Sequence, residues 1–190
     1  STCRSTIRLN DIAAAAHLVL GLSLAIAPVG SWVAVTGAFA LPPVLLGLGV
    51  VFWVAGFAVI YSLQDEAFDR REGLRSIPAR FGAPRALQVA RLFHGATLVL
   101  FYAVFLAVDG GWLFGAAVVV AGGFLVRQHR LVSPTDLTRV DAAFLTAHGR
   151  LPVAFLLLGA AAVLLRSPLC SVGAPHPEQF PQRHHANKRP

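Results

Sequence analysis

Residues 39–63 read FALPPVLLGLGVVFWVAGFAVIYSL, without one charged side chain. An α-helix rises ~1.5 Å per residue, so about 20 apolar residues cross the ~30 Å core of a bilayer. This run is long enough to span, and four further apolar stretches surround it: Ile12–Val35, Ala86–Val108, Trp112–Val126 and Leu151–Leu165. The composition agrees, with 56% of the 190 residues hydrophobic and 13% charged, where a soluble domain carries about 25% charge. The expected fold is all-α, a multi-pass transmembrane helical bundle of about five helices.

Three places set the expected irregularities. Pro28 and Gly30 should bend or break the end of the first segment, because proline lacks the N–H that the helix needs. The fourth segment is short and needs its flanks or a small tilt to span. Ser133-Pro134-Thr135-Asp136 has the chemistry of a helix start: a capping hydroxyl, a proline for the first position and an acid for the positive end. A helix is expected to run from there into the last span, kinked at Pro152.

Charge supplies the orientation. Arg70, Arg71, Arg75, Arg80, Arg85 and Arg91 follow the second span, Arg127, Arg130 and Arg139 follow the fourth, and Arg4 and Arg8 precede the first. The other two loops, around Val29–Pro42 and Asp109–Gly111, carry no lysine or arginine. Cytoplasmic loops hold the excess of basic residues, so the arginine-rich loops are expected in the cytoplasm. The net charge of +7 reads as topology and contact with anionic lipid. It does not read as nucleic-acid binding, because the arginines are scattered between apolar segments and form no stripe. Cys3 and Cys170 fall on opposite sides of the membrane in this topology and have no metal-type spacing.

The second span runs straight into YSLQDEAFDRREGLRSIPARFG, Tyr61–Gly82. Asp65 and Asp69 are four apart and share one face of a helix. Two carboxylates so close repel unless a cation neutralises them. Mg²⁺ is typically held by one or two carboxylates together with waters and phosphate oxygens. The pair therefore suits a phosphorylated substrate bridged through Mg²⁺, with apolar spans behind it for a greasy tail. Arg70, Arg71 and Arg75 could contact the phosphates as bidentate donors. The alternative is a pair of ordinary interfacial acids neutralised by Arg70 or Arg71.

Tyr61, Asp65 and Asp69, continuing through Asp69-Arg70-Arg71-Glu72-Gly73 and Ser76-Ile77-Pro78, resemble the second aspartate-rich motif of the UbiA superfamily of intramembrane aromatic prenyltransferases. The likeness is to bacterial 4-hydroxybenzoate polyprenyltransferases and their menaquinone-pathway relatives. It extends upstream through His17-Leu18-Val19-Leu20-Gly21 and Ala27-Pro28-Val29-Gly30-Ser31-Trp32, and downstream to Ser133-Pro134 and Asp141-Ala142-Ala143-Phe144. It divides the chain into an unmatched segment 1–15, a transmembrane prenyltransferase region 16–166 and a Pro/His/basic tail 167–190 expected to be disordered.

The resemblance implies a nine-helix bundle in the bacterial inner membrane, with two aspartate-rich loops on the cytoplasmic side holding Mg²⁺ and a prenyl diphosphate. Ionisation of the diphosphate ester gives an allylic cation, which the aromatic acid attacks. Asp65 and Asp69 carry over as metal and diphosphate ligands. Tyr61 and Gln64 carry over as cavity-wall residues, and Arg70 and Arg75 as diphosphate-side residues. Asp141, at membrane depth, is expected to face the cavity or to bond a neighbouring helix, with His148 seven residues on along the same face. His17 and His94 read as structural, and Trp32, Trp53 and Trp112 as anchors or packing groups. The family's first motif, NxxxDxxxD, is not found in these residues. The chain is thus expected to be the C-terminal half of the fold, inactive without an N-terminal half. The competing expectation is a non-catalytic truncated membrane protein or helical subunit.

Overall fold

A computed structural model describes residues 9–74, 76–108, 111–134, 136–144 and 149–166, with side chains from residue 19 onward except 143 and 166. Arg75, His148, Cys3, Cys170, both termini and the side chain of His17 lie outside the described residues. Among the described residues eight α-helices follow in order: α1 Leu9–Thr36, α2 Leu41–Tyr61, α3 Glu66–Arg71, α4 Ile77–Phe81, α5 Ala83–Ala107, α6 Gly111–Leu131, α7 Val140–Phe144 and α8 Leu151–Arg166. Four of them, α1, α2, α5 and α6, are long and apolar enough to cross a membrane, and α8 is a shorter apolar helix. Among the described residues there is no strand beyond the single bridge Ser133–Asp136. The chain is an integral membrane helical bundle.

The helix α2 is its axis. Half of its residues are buried, and it packs most extensively on α5 and next on α1, while α6 packs on α8 and α5. Glycines make the close approaches possible. A Cβ on Gly47 would stand 2.8 Å from the Ala25 carbonyl of α1, and one on Gly56 would stand 2.6 Å from the His94 ring of α5. Small residues let membrane helices approach backbone to backbone. The outer faces of α1, α5, α6 and α8 carry exposed Leu, Val and Ile, which is the surface lipid wets.

Two expectations are corrected and one holds. The helix α1 is not broken at Pro28 but runs through it to Thr36. One lost backbone bond is tolerated in a membrane helix, where neighbouring groups re-satisfy what proline frees. The end comes instead at Gly37, at φ 70°, whose N–H donates to the Val33 carbonyl at 2.8 Å. As expected, the fourth span draws on its flank: it extends through Arg127-Gln128-His129-Arg130 to Leu131, which supplies the missing length.

The second correction concerns Ser133-Pro134-Thr135-Asp136. Ser133 Oγ does accept the Asp136 N–H at 3.0 Å, but no helix grows from it. The Ser133 and Asp136 backbones bond each other in both directions at 3.2 Å, and Asp136 Oδ1 accepts the Thr138 N–H and hydroxyl at 3.0 and 2.6 Å. Short polar side chains that capture nearby backbone groups compete with helix propagation. The result is a closed turn ahead of the short α7, and α8 carries Pro152 in its first turn; residues 145–148, between α7 and α8, lie outside the described residues.

Two clusters hold the bundle. Val59, Ile60 and Leu63 from the end of α2 meet Ala83, Ala86, Leu87 and Ala90 of α5, closed by Val132 and Val140. Deeper in the bundle, Phe101, Ala121, Leu125 and Leu151 join α5, α6 and α8. The first cluster is the floor under the aspartate-rich loop.

Candidate active site

The loop begins where α2 tightens and stops. Leu63, Gln64, Asp65 and Glu66 donate their N–H groups to carbonyls three residues back, at 3.1–3.4 Å. Such i→i+3 bonding wraps the chain more tightly than an α-helix. Leu63, 1% exposed, is pinned in the floor cluster, while Gln64 and Asp65 turn outward. The helix α3 then starts, with Asp65 as its N-terminal flanking residue and the Asp69 N–H bonded to the Asp65 carbonyl at 2.8 Å. The two aspartates thus sit one helical turn apart. The turn is closed at Gly73, φ 70°, with the Leu74 N–H returning to the Asp69 carbonyl at 2.8 Å. This is the left-handed helix end for which glycine is suited.

The two arginines that follow the acids are engaged elsewhere. Arg70 Nη2 donates to Glu66 Oε1 at 2.8 Å, and Arg71 Nε donates to the Ala67 carbonyl at 3.2 Å. Neither arginine is spent on Asp65 or Asp69. The Asp65 carboxylate does not cap α3. Asp69 is only 9% exposed, and its carboxylate has no hydrogen bond or ion pair among the described residues. Two carboxylates one helical turn apart repel each other, and a hard divalent cation would neutralise such a pair. Among the described residues no third His, Cys, Asp or Glu joins to form an all-protein cage. That sparse donor set fits Mg²⁺, which keeps waters and phosphate oxygens in its shell.

A wall rises beside the acids. Gln64 Nε2 donates to Asp141 Oδ1 at 3.2 Å across 77 residues of sequence. Val140, 1% exposed, locks α7 into the floor cluster and so holds its neighbour Asp141 opposite Gln64. One turn further, Phe144 packs on Phe57 and Tyr61, with ring centroids 4.9 and 6.0 Å away, and Phe57 and Tyr61 are 5.9 Å apart. Tyr61 and Phe144 are both partly open. The structure therefore brings Tyr61, Gln64, Asp65, Asp69 and Asp141 together at one end of the bundle. Arg70 lies on the outer side of α3, near the α4–α5 corner at Gly82.

Two neighbours escape the sequence reading. Phe57 precedes Tyr61 by one helical turn and shares its face, a signal that was available. His129 had none. Its Nε2 lies 2.8 Å from His94 Nδ1, so one ring donates to the other, and that contact depends on the register of α5 against α6.

Comparison with known proteins places this architecture. The chain is 30% identical over 120 residues to the 4-hydroxybenzoate solanesyltransferase of Synechocystis sp., an alignment covering 63% of this chain and 41% of the relative. It is 25% identical over 132 residues to the 4-hydroxybenzoate octaprenyltransferase of Francisella tularensis subsp. novicida, covering 70% and 46%. It is 28% identical over 109 residues to the 4-hydroxybenzoate octaprenyltransferase of a Shewanella species, covering 57% and 38%. The chain spans less than half the length of these relatives. No solved structure matches. The family model described as the UbiA prenyltransferase family matches residues 5–158, most of the chain, and the chain belongs to that family.

Proposed function

We propose that these residues form one side of the site of a Mg²⁺-dependent polyprenyltransferase. The donor is a prenyl diphosphate and the acceptor an aromatic acid such as 4-hydroxybenzoate, in quinone synthesis. The observation that carries this reading is the Asp65/Asp69 pair. Among the described residues its carboxylates have no protein counter-charge, at the mouth of the bundle and beside the Tyr61–Gln64–Asp141 wall. When bound, Mg²⁺ supplies charge stabilisation to the diphosphate as it leaves. Asp65 and Asp69 hold the ion. Arg70, exchanging its exposed pairing with Glu66, and Arg75 serve the diphosphate side. Tyr61, Phe144 and Gln64–Asp141 orient the aromatic ring, and the apolar spans take the prenyl chain.

The arginine-rich loops support a site facing the cytoplasm, in a bacterial inner membrane. In this reading the first aspartate-rich loop, NxxxDxxxD, and the helices that carry it belong to an N-terminal half of the same fold. The test is prenyl transfer to 4-hydroxybenzoate in membranes holding the complete polypeptide. Activity should require Mg²⁺, disappear with EDTA, and fall at least a hundredfold in Asp65→Asn and Asp69→Asn, about 2.7 kcal/mol of barrier. Undiminished transfer by both variants would refute the assignment.

A further inference from the structure

We infer that Gln64 and Asp141 act as one unit that reads a hydroxyl group on the aromatic acceptor: Asp141 is the positioning residue, and the Gln64 carbonyl oxygen is the contact. The inference rests on the function proposed above and deepens it. Glutamine presents a donor at one end of its amide and an acceptor at the other, and its terminal torsion is soft, so alone it reads neither kind of partner. An ionised carboxylate can only accept. The 3.2 Å bond to Asp141 Oδ1 therefore forces the Gln64 NH₂ toward α7 and turns Oε1 away from it. Among the described residues, Oε1 has no hydrogen bond of its own.

Asp141 is in turn held in place. Val140 is buried in the floor cluster, Phe144 packs on Phe57, and Asp136 closes the turn that leads into α7. Gln64 and Asp141 are both exposed, so a ligand reaches them. The open Tyr61 ring comes three residues before Gln64 and the open Phe144 ring three residues after Asp141, with 6.0 Å between their centroids, a spacing suited to a single substituted benzene ring. Asp65 follows Gln64 directly in the chain, so the acceptor hydroxyl and the diphosphate end of the donor are recognised by adjacent residues. A fixed carbonyl oxygen accepts a hydrogen bond from a phenolic hydroxyl and has nothing to bond on an unsubstituted ring.

The test uses the complete polypeptide in detergent with Mg²⁺ and an unreactive prenyl thiodiphosphate. It compares equilibrium binding of 4-hydroxybenzoate and benzoate, and, in membranes, the KM for each substrate. The wild type should prefer 4-hydroxybenzoate by about tenfold, the size of one hydrogen bond. Asp141→Asn keeps the shape but frees the amide, and should cut the preference to about twofold while leaving the KM for prenyl diphosphate unchanged. Gln64→Glu sets two carboxylates against each other and should lose it as well. The double exchange, Gln64→Glu with Asp141→Asn, restores a donor facing an acceptor and leaves an oxygen for the hydroxyl, so it should regain most of the preference. Retained preference in Asp141→Asn, or a double variant no better than either single one, overturns the inference while leaving prenyl transfer intact. A wild type that binds neither acid and transfers no prenyl group overturns the underlying function as well.

Discussion

Gly56→Ala probes the contact on which the α2–α5 packing turns. A methyl at this position would meet His94 Cδ2 at 2.6 Å, Nε2 at 2.7 Å and the Ala90 carbonyl at 3.2 Å, where ordinary contact begins at 3.4 Å. The ring would have to retreat by ~0.8 Å, and it has little room, being 2% exposed and tied to His129 at 2.8 Å. Overpacking of this kind costs about 1–3 kcal/mol, and straining the histidine pair adds about 1 kcal/mol. Replacing glycine by alanine in a helix returns about 1 kcal/mol. The net is destabilisation by ~2 kcal/mol, or a melting temperature lower by about 4–8 °C for a chain of this size. Gly95→Ala is the control. It sits next to His94 on the same helix, has nothing within 4 Å of its notional Cβ, and should be neutral or slightly stabilising. The assay is thermal unfolding in detergent, followed by circular dichroism. A Gly56→Ala protein as stable as Gly95→Ala would show that α2 and α5 do not approach this closely, and the reasoning would fail.

Three further outcomes are expected. Leu87→Ala, which empties a fully buried position in the floor cluster, should cost ~2–5 kcal/mol and loosen the aspartate-rich loop in hydrogen exchange, whereas the lipid-facing Leu92→Ala should change stability by about 0.5 kcal/mol or less. Thr138, chiefly through its hydroxyl and then its N–H, holds the Asp136 carboxyl below its ordinary value of 3.8. A depressed acid stabilises the fold above its unfolded value and loses that contribution as pH falls through the folded one, so amide protection at Thr138 and Val140 should be constant from neutral pH down to 3.8 and decline only below it. A decline centred near pH 6 would contradict this. Glu66→Gln releases Arg70 from an exposed ion pair worth at most ~1 kcal/mol. The KM for prenyl diphosphate should then fall slightly, while Arg70→Ala should raise it, and identical values in both variants would remove Arg70 from the diphosphate side.

Much of the fold was legible along the chain because membrane helices are specified locally. Each must satisfy its own backbone bonds and present enough apolar length, so the uncharged run 39–63 and its companions announced α1, α2, α5, α6 and α8. The misread places were those where local signals compete. Pro28 was outweighed by the apolar length on either side of it. The start signal at Ser133 was real as a hydrogen bond, but Asp136 spent it on a turn. The spacing of Asp65 and Asp69 could be read directly, since four residues make one helical turn.

What neighbours those acids was not legible. Whether Arg70 neutralises Asp69 or Glu66 depends on side-chain directions around α3. Whether Gln64 meets Asp141 depends on how Val140 seats α7 against α2. The His94–His129 pair depends on the register of two helices whose apolar faces would accept several. The sequence alone determined the spans, the family motif and the acids at its centre, because those depend on length, spacing and residue type within one segment. Only the tertiary structure decided which groups face them, because hydrogen bonds between segments far apart in the chain exist only once packing has brought those segments together.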